Sequence, residues 1–289
     1  MRIDAHQHFW AVARGDYGWM QSSDALAPLR RDFLPRDFDS YRAKHHIDAT
    51  ILVQAAPTVA ETDFLLALAE ETPWIAKVVG WIDFEDKAQR AHLDRWSRHP
   101  KFAGVRPMIQ DIPDADWMHR ADVQWAYQAL IDLDLAFDAL GFPRHLDNFR
   151  RLFDRHPALR AVIDHGLKPA IRDNAFEPWA TGMAALARET KVHCKLSGLV
   201  NEAMGGWSVK TLAPYAAHIL AAFGPDRVMW GSDWPVVNLA GGYDLWRACA
   251  ETIVPEPAAA KVFGGTAAAF YRVPSSSTKE LEITQAYRK

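Results

Sequence analysis

Short apolar runs rich in β-branched residues recur along this chain, and between them lie stretches whose apolar positions return every three to four residues. That alternation is the pattern of repeated βα units, in which each buried strand is followed by a helix laid against a parallel sheet. It predicts strands over Arg2–His8, Ala49–Ala55, Lys77–Phe84, Phe102–Ile109, Leu135–Leu140, Ala161–His165, Val192–Ser197 and Arg227–Ser232. Helices are predicted over Glu61–Glu71, Lys87–Arg98, Val123–Leu133, Leu146–Arg155, Trp179–Glu189, Leu212–Phe223 and Tyr243–Thr252. Eight strands with intervening helices predict an α/β fold, a distorted (β/α)8 TIM barrel, in a single domain over residues 1–273. In "RHPKFAG" and "RHPALRA" a proline stops the helix and a strand follows. From Pro274 the chain turns polar and Ser-rich, which predicts a C-terminal tail over residues 274–289.

The first strand reads "IDAHQHFW". Alternate residues of a strand share a face, so His6 and His8 project together while Gln7 points the other way. In a barrel of this kind the chemistry sits at the C-terminal ends of the strands. There the pattern places His6 and His8 on strand one, Arg106 on strand four, Asp138 on strand five, His165 on strand six, Lys195 on strand seven and Asp233 after strand eight. Taken alone, His165 reads equally as a satisfied structural histidine, and Asp233 as the N-cap of the next helix. Together, three imidazoles and a carboxylate on one rim are the donor set a divalent metal needs.

Composition narrows the partner. The 289 residues are 49% hydrophobic and 24% charged, enough to bury a sizeable core, and the formal net charge of -3 offers no basic surface for nucleic acid or an anionic membrane. A small molecule is the expected partner, and a homo-oligomer stays open. Two cysteines make no disulfide framework and no CxxC metal site, which suits a reducing compartment. With neither a signal-peptide core nor a membrane-length apolar run, a cytoplasmic location is expected.

The ordered set of H-x-H on strand one, His165 after strand six and Asp233 in "GSDWP" resembles the amidohydrolase superfamily of metal-assisted hydrolases. More narrowly, "DAHQHFW", "GVRPMIQD", "IDHGLKP", "CKLSGLVNEA" and "FGPDRVMWGSDWPV" resemble the amidohydrolase-related group that contains sugar-acid lactonases such as L-fuconolactonase and L-rhamnonolactonase. The resemblance implies hydrolysis of a sugar lactone to the free acid. It also implies one divalent metal, zinc by its donors, held by His6, His8, His165 and Asp233, with Asp138 near. Binuclear members carry a bridging lysine or glutamate on strand four and a histidine on strand five. Here Arg106 or Met108 and Asp138 stand there instead, so a single ion is expected.

In the mechanism so implied, Asp233 takes a proton from water and returns it to the ring oxygen, while Arg106, with or without His165, stabilises the oxyanion. Residues that follow strands and could meet sugar hydroxyls or the apolar sugar face are Trp10, Gln54, His145, Asn201, Glu202, Trp207 and Trp234. Three alternatives remain: a metal-dependent decarboxylase of the same superfamily, a metal-free lactonase acting on a dicarboxylic lactone, and a catalytically inert barrel that only binds.

Overall fold

The computed structural model describes residues 1–274 and shows eight parallel strands arranged in sequence order as a barrel. They are β1 (Ile3–Gln7), β2 (Ala49–Val53), β3 (Ile75–Gly80), β4 (Phe102–Val105), β5 (Ala136–Ala139), β6 (Ala161–Ile163), β7 (His193–Leu196) and β8 (Val228–Trp230). All eight predicted strands are present, each shorter than the apolar run that announced it. His8, Arg106, His165 and Asp233 accordingly stand just past their strands, on the rim. Registers slip within the β1–β2, β2–β3 and β3–β4 pairs, so the barrel is irregular.

The outer layer contains α1 (Pro35–Lys44), α2 (Val59–Glu71), α3 (Arg90–Trp96), α4 (Gln124–Asp132), α5 (Leu146–Arg155), α6 (Trp179–Glu189), α7 (Leu199–Ala203), α8 (Val209–Phe223), α9 (Tyr243–Ile253) and α10 (Glu256–Ala260). The helix expected over Lys87–Arg98 is divided into a 3-10 turn at Lys87–Gln89 followed by α3. Four helices escaped the periodicity: α1, α7, α10 and α11 (Thr266–Tyr271). The last three span at most six residues each, too short for a 3.6-residue repeat to declare itself.

Helix α11 belongs to the barrel interior. Its Ala267, Phe270 and Tyr271 pack with Ile3, Ala5, Val79, Ala136, Val162 and Met229 in an apolar cluster of their own. The tail expected over residues 274–289 lies, beyond Pro274, outside the described residues.

The barrel closes between β1 and β8 through a few hydrogen bonds instead of a full ladder. The N–H of Asp233 donates to the His6 carbonyl at 2.8 Å, and the N–H of His8 donates to the Trp234 carbonyl at 2.7 Å. One step earlier, the Asp4 carboxylate accepts the N–H of Ser232 at 2.9 Å. A side chain at Gly231 could not fit this seam, because its Cβ would lie 2.6 Å from that of His6. The β1–β2 register slips between Asp4 and Gln7. Asp4 thereby turns toward the helix layer while Ile3 and Ala5 join the inner cluster, and His6 and His8 turn toward one another, with His8 lining the cavity and His6 buried behind it. Gln7 donates to the Thr50 hydroxyl at 3.1 Å, in the wall of the barrel.

Candidate active site

The closing seam brings together donors separated by more than 220 residues. His6 Nε2 lies 3.2 Å from His8 Nε2 and 3.7 Å from Asp233 Oδ1, and His8 Nε2 lies 3.2 Å from the same oxygen. His165 Nε2 is 4.0 Å from Asp233 Oδ1. His6, His165 and Asp233 each offer an atom within 4.8 Å of one another, and all three are buried.

The fit of a divalent ion can be tested on this donor set. His8 Nδ1 stands 2.7 Å from the Val53 carbonyl, which can only accept, so Nδ1 carries the hydrogen and Nε2 presents a lone pair to Asp233. Two acceptors facing each other at 3.2 Å call for a cation between them. Zinc–nitrogen bonds of about 2.0–2.1 Å in a tetrahedron give donor–donor edges of about 3.3 Å. The 3.2 Å separations of His8 from His6 and from Asp233 are near that value, and those of Asp233 from His6 and His165, 3.7 and 4.0 Å, are wider, so the residues fit the ion with a small inward movement of His6 and His165. The rear nitrogens are held as ligand imidazoles usually are, with His165 Nδ1 at 2.8 Å from the Ser197 hydroxyl. His165 seats itself against Gly198, where any Cβ would come within 2.6 Å of its ring.

Behind the donors lies a fully buried ionic group. Lys195 Nζ reaches Asp138 Oδ2 at 2.5 Å, Asp164 Oδ1 at 3.0 Å and His6 Nδ1 at 3.1 Å. The Tyr271 hydroxyl on α11 donates to Asp138 at 2.8 Å. Asp138 is therefore engaged by Lys195 and Tyr271, and His165 is the residue that completes the donor cluster. Burial works to raise the Asp164 carboxyl, but Lys195, His165 and Arg106 together hold it below the ordinary carboxylate range. Asp233 shows the same balance: burial opposes its charge, and His165 and Lys168 outweigh that, holding its carboxyl below the ordinary value. Burial, reinforced by Lys195, pushes His6 well below its ordinary value, so that it is neutral.

Arg106 is committed to protein on several sides. Its Nη2 donates to the Gln54 carbonyl while Gln54 Nε2 donates back to the Arg106 carbonyl at 2.7 Å, and its Nη1 lies 3.6 Å from Asp164. Gln54 thus clasps the loops after β2 and β4 together.

A cavity of about 410 Å³ opens over this cluster, lined among others by His8, Arg106, His165, Lys168, Asp233 and Trp10. Trp10 is the member of the expected sugar-contact set that lines it. His145 is fully buried and accepts the N–H of Phe142 at 3.0 Å, as the cap of its turn. Trp234 packs edge-on against Phe9 and Phe33 in the core. Asn201 and Trp207 donate to the carbonyls of Val236 and Ala240, tying the loop after β7 to the loop after β8. Glu202 is partly buried, and burial raises its carboxyl against the pull of Lys168. Residue patterns missed Lys168, Trp19, Gln110 and Asp111, which also line the cavity. The signal for Lys168 was its place three residues beyond His165 in "IDHGLKP".

The sequence profile of the family described as amidohydrolase matches residues 3–273. A protein of Burkholderia ambifaria named L-fucono-1,5-lactonase is 42% identical over 283 residues, which cover 96% of this chain and 97% of that one. Another of the same name from Burkholderia multivorans is 36% identical over 97% of this chain and 99% of its own length. The crystal structure of an amidohydrolase from Burkholderia multivorans with bound zinc superposes with a TM-score of 0.88 at 36% identity, covering 95% of this chain and all of that one. No helix among the described residues is long and apolar enough to cross a membrane.

Proposed function

The chain belongs to the amidohydrolase family, and from that premise we propose that it is a lactonase opening L-fucono-1,5-lactone, or a closely related aldonolactone, to the free acid. The observation that carries the reading is Asp233. Its carboxylate stands 3.2 Å from His8 and 4.0 Å from His165, at the wall of a cavity large enough for one sugar ring.

The lactone lies with its carbonyl carbon over Asp233 and its apolar face toward Trp10. Asp233 accepts a proton from the attacking water as the new carbon–oxygen bond forms. Arg106, whose charge is steadied by Asp164, stabilises the oxygen that becomes negative, with His165 beside it. The bond to the ring oxygen then breaks, and Asp233 returns the proton to that oxygen. His6, His8, His165 and Asp233 would hold a divalent ion, zinc by its donors, which supplies Lewis-acid polarisation and a lower pKa for bound water. The free, buried Cys194 and Cys249 suit a cytoplasmic enzyme.

A pH-indicator screen of aldonolactones, run with and without chelator, tests this reading. Acid release from L-fucono-1,5-lactone is expected. Turnover of none of the lactones, or carbon dioxide release from aromatic carboxylates in their place, would sink it.

A further inference from the structure

The cavity wall carries a second cation, and the backbone is distorted to present it. His165, Gly166, Leu167 and Lys168 all lie in the left-handed region, with φ of +54°, +56°, +59° and +51°. Residues with a Cβ rarely adopt that conformation, and such strain concentrates where a site requires it. The turn is closed by the Lys168 N–H donating to the His165 carbonyl at 2.9 Å, and pinned by the Trp179 indole N–H on the Gly166 carbonyl at 2.7 Å. Its effect is to put His165 and Lys168 side by side on one cavity.

The surroundings of Lys168 are those of a cation kept available. Its Nζ donates to the neutral Gln110 Oε1 at 2.6 Å and sits 5.5 Å above the Phe142 ring. No carboxylate pairs with it within 4.0 Å among the described residues, so one hydrogen bond orients the ammonium without cancelling its charge. Its field reaches Asp233 and His165. Arg106, by contrast, is held by Gln54 and Asp164 and is nearly fully buried.

We propose that Lys168 is a substrate-binding residue that grips the carbonyl end of the lactone and, after ring opening, the carboxylate of the product. The inference rests on the lactonase reading and extends it to this residue. Water adds to the carbonyl carbon, and its first proton passes through Asp233 to the departing ring oxygen. The resulting acid loses its remaining carboxyl proton to solvent. A neutral ligand thus becomes an anion at the carbonyl end, and the Lys168 ammonium, which takes no part in the proton transfers, gains a counter-charge.

The test compares two ligands of nearly the same shape, one anionic and one neutral at the carbonyl end, L-fuconate and its amide, titrated calorimetrically into the full chain and into Lys168→Met and Lys168→Arg. The wild type is expected to prefer the carboxylate by about 10- to 100-fold, the range of a charge-assisted hydrogen bond. In Lys168→Met the preference collapses toward unity with the melting temperature nearly unchanged, and Lys168→Arg retains most of it. A structural role would weaken both ligands alike. Equal loss for the two, an unaltered preference in Lys168→Met, or no preference in the wild type overturns the inference. Failure of the wild type to hydrolyse L-fucono-1,5-lactone while the preference and its loss are observed removes the lactonase reading and leaves the Lys168 anion subsite standing.

Discussion

At the scale of single residues, the chemistry reduces to which groups carry charge inside a buried site. Asp233→Asn preserves shape but cannot accept water's proton, so kcat should fall by about 10²–10⁴-fold with the circular dichroism spectrum unchanged. A variant retaining more than about a tenth of wild-type kcat would remove the role. His6 and His8 share one site. Each single alanine substitution should lower both turnover and zinc content, and the double variant should be little worse than the worse single one, measured on the same samples. A different buried group governs stability. Glu61 accepts from the Tyr17 hydroxyl at 2.7 Å and the Ala55 N–H at 3.1 Å, yet burial raises its carboxyl from 4.5 to about 7. The folded chain therefore holds this proton more tightly than the unfolded chain. Its stabilisation is complete below pH 4.5 and lost as pH rises through about 7. Melting temperatures should decline across that window by the equivalent of at most roughly 3 kcal/mol, and Glu61→Gln should flatten the decline. An unchanged slope in the variant would refute the assignment.

Elements act through how closely they approach. Strands β1 and β8 meet at Gly231 with no room for a methyl group, because its Cβ would stand 2.6 Å from that of His6. Gly231→Ala should force the seam apart, costing about 1–3 kcal/mol in thermal or denaturant unfolding and disturbing the donor cluster with it. A variant as stable and as active as wild type would show that the seam tolerates what the geometry forbids. Apolar runs announced every strand, since burial on both faces leaves a continuous hydrophobic signature. Helices such as Leu146–Arg155 and Trp179–Glu189 were legible to the residue because each spans about three turns. Helix α11 was not, since "TAAAFY" at 266–271 carries too few turns to show a period, and its burial comes from the strands around it.

For the whole molecule, function depends on closure of the barrel. The four metal-donor candidates stand on β1 or just past β1, β6 and β8, and bringing them within reach takes all eight strands. One equivalent of divalent metal per chain is the expected maximum by elemental analysis, since Asp138, on the strand where a second ion would seek a ligand, is already engaged by Lys195 and Tyr271. Two equivalents, both required for turnover, would refute the mononuclear site. The sequence by itself determined the number and order of strands, the common face of His6 and His8, and the rim positions of His165 and Asp233. These follow from periodicity and from strand ends, which are properties of neighbouring residues. Only the tertiary structure decided that Trp234 packs in the core, that Gln54 clasps Arg106 and that Asp4 turns outward at a register slip. It also decided that a left-handed turn sets Lys168 beside His165. The physical reason is that which partner a buried polar or aromatic side chain finds is settled by residues tens to hundreds of positions away, and those meet only when the barrel closes.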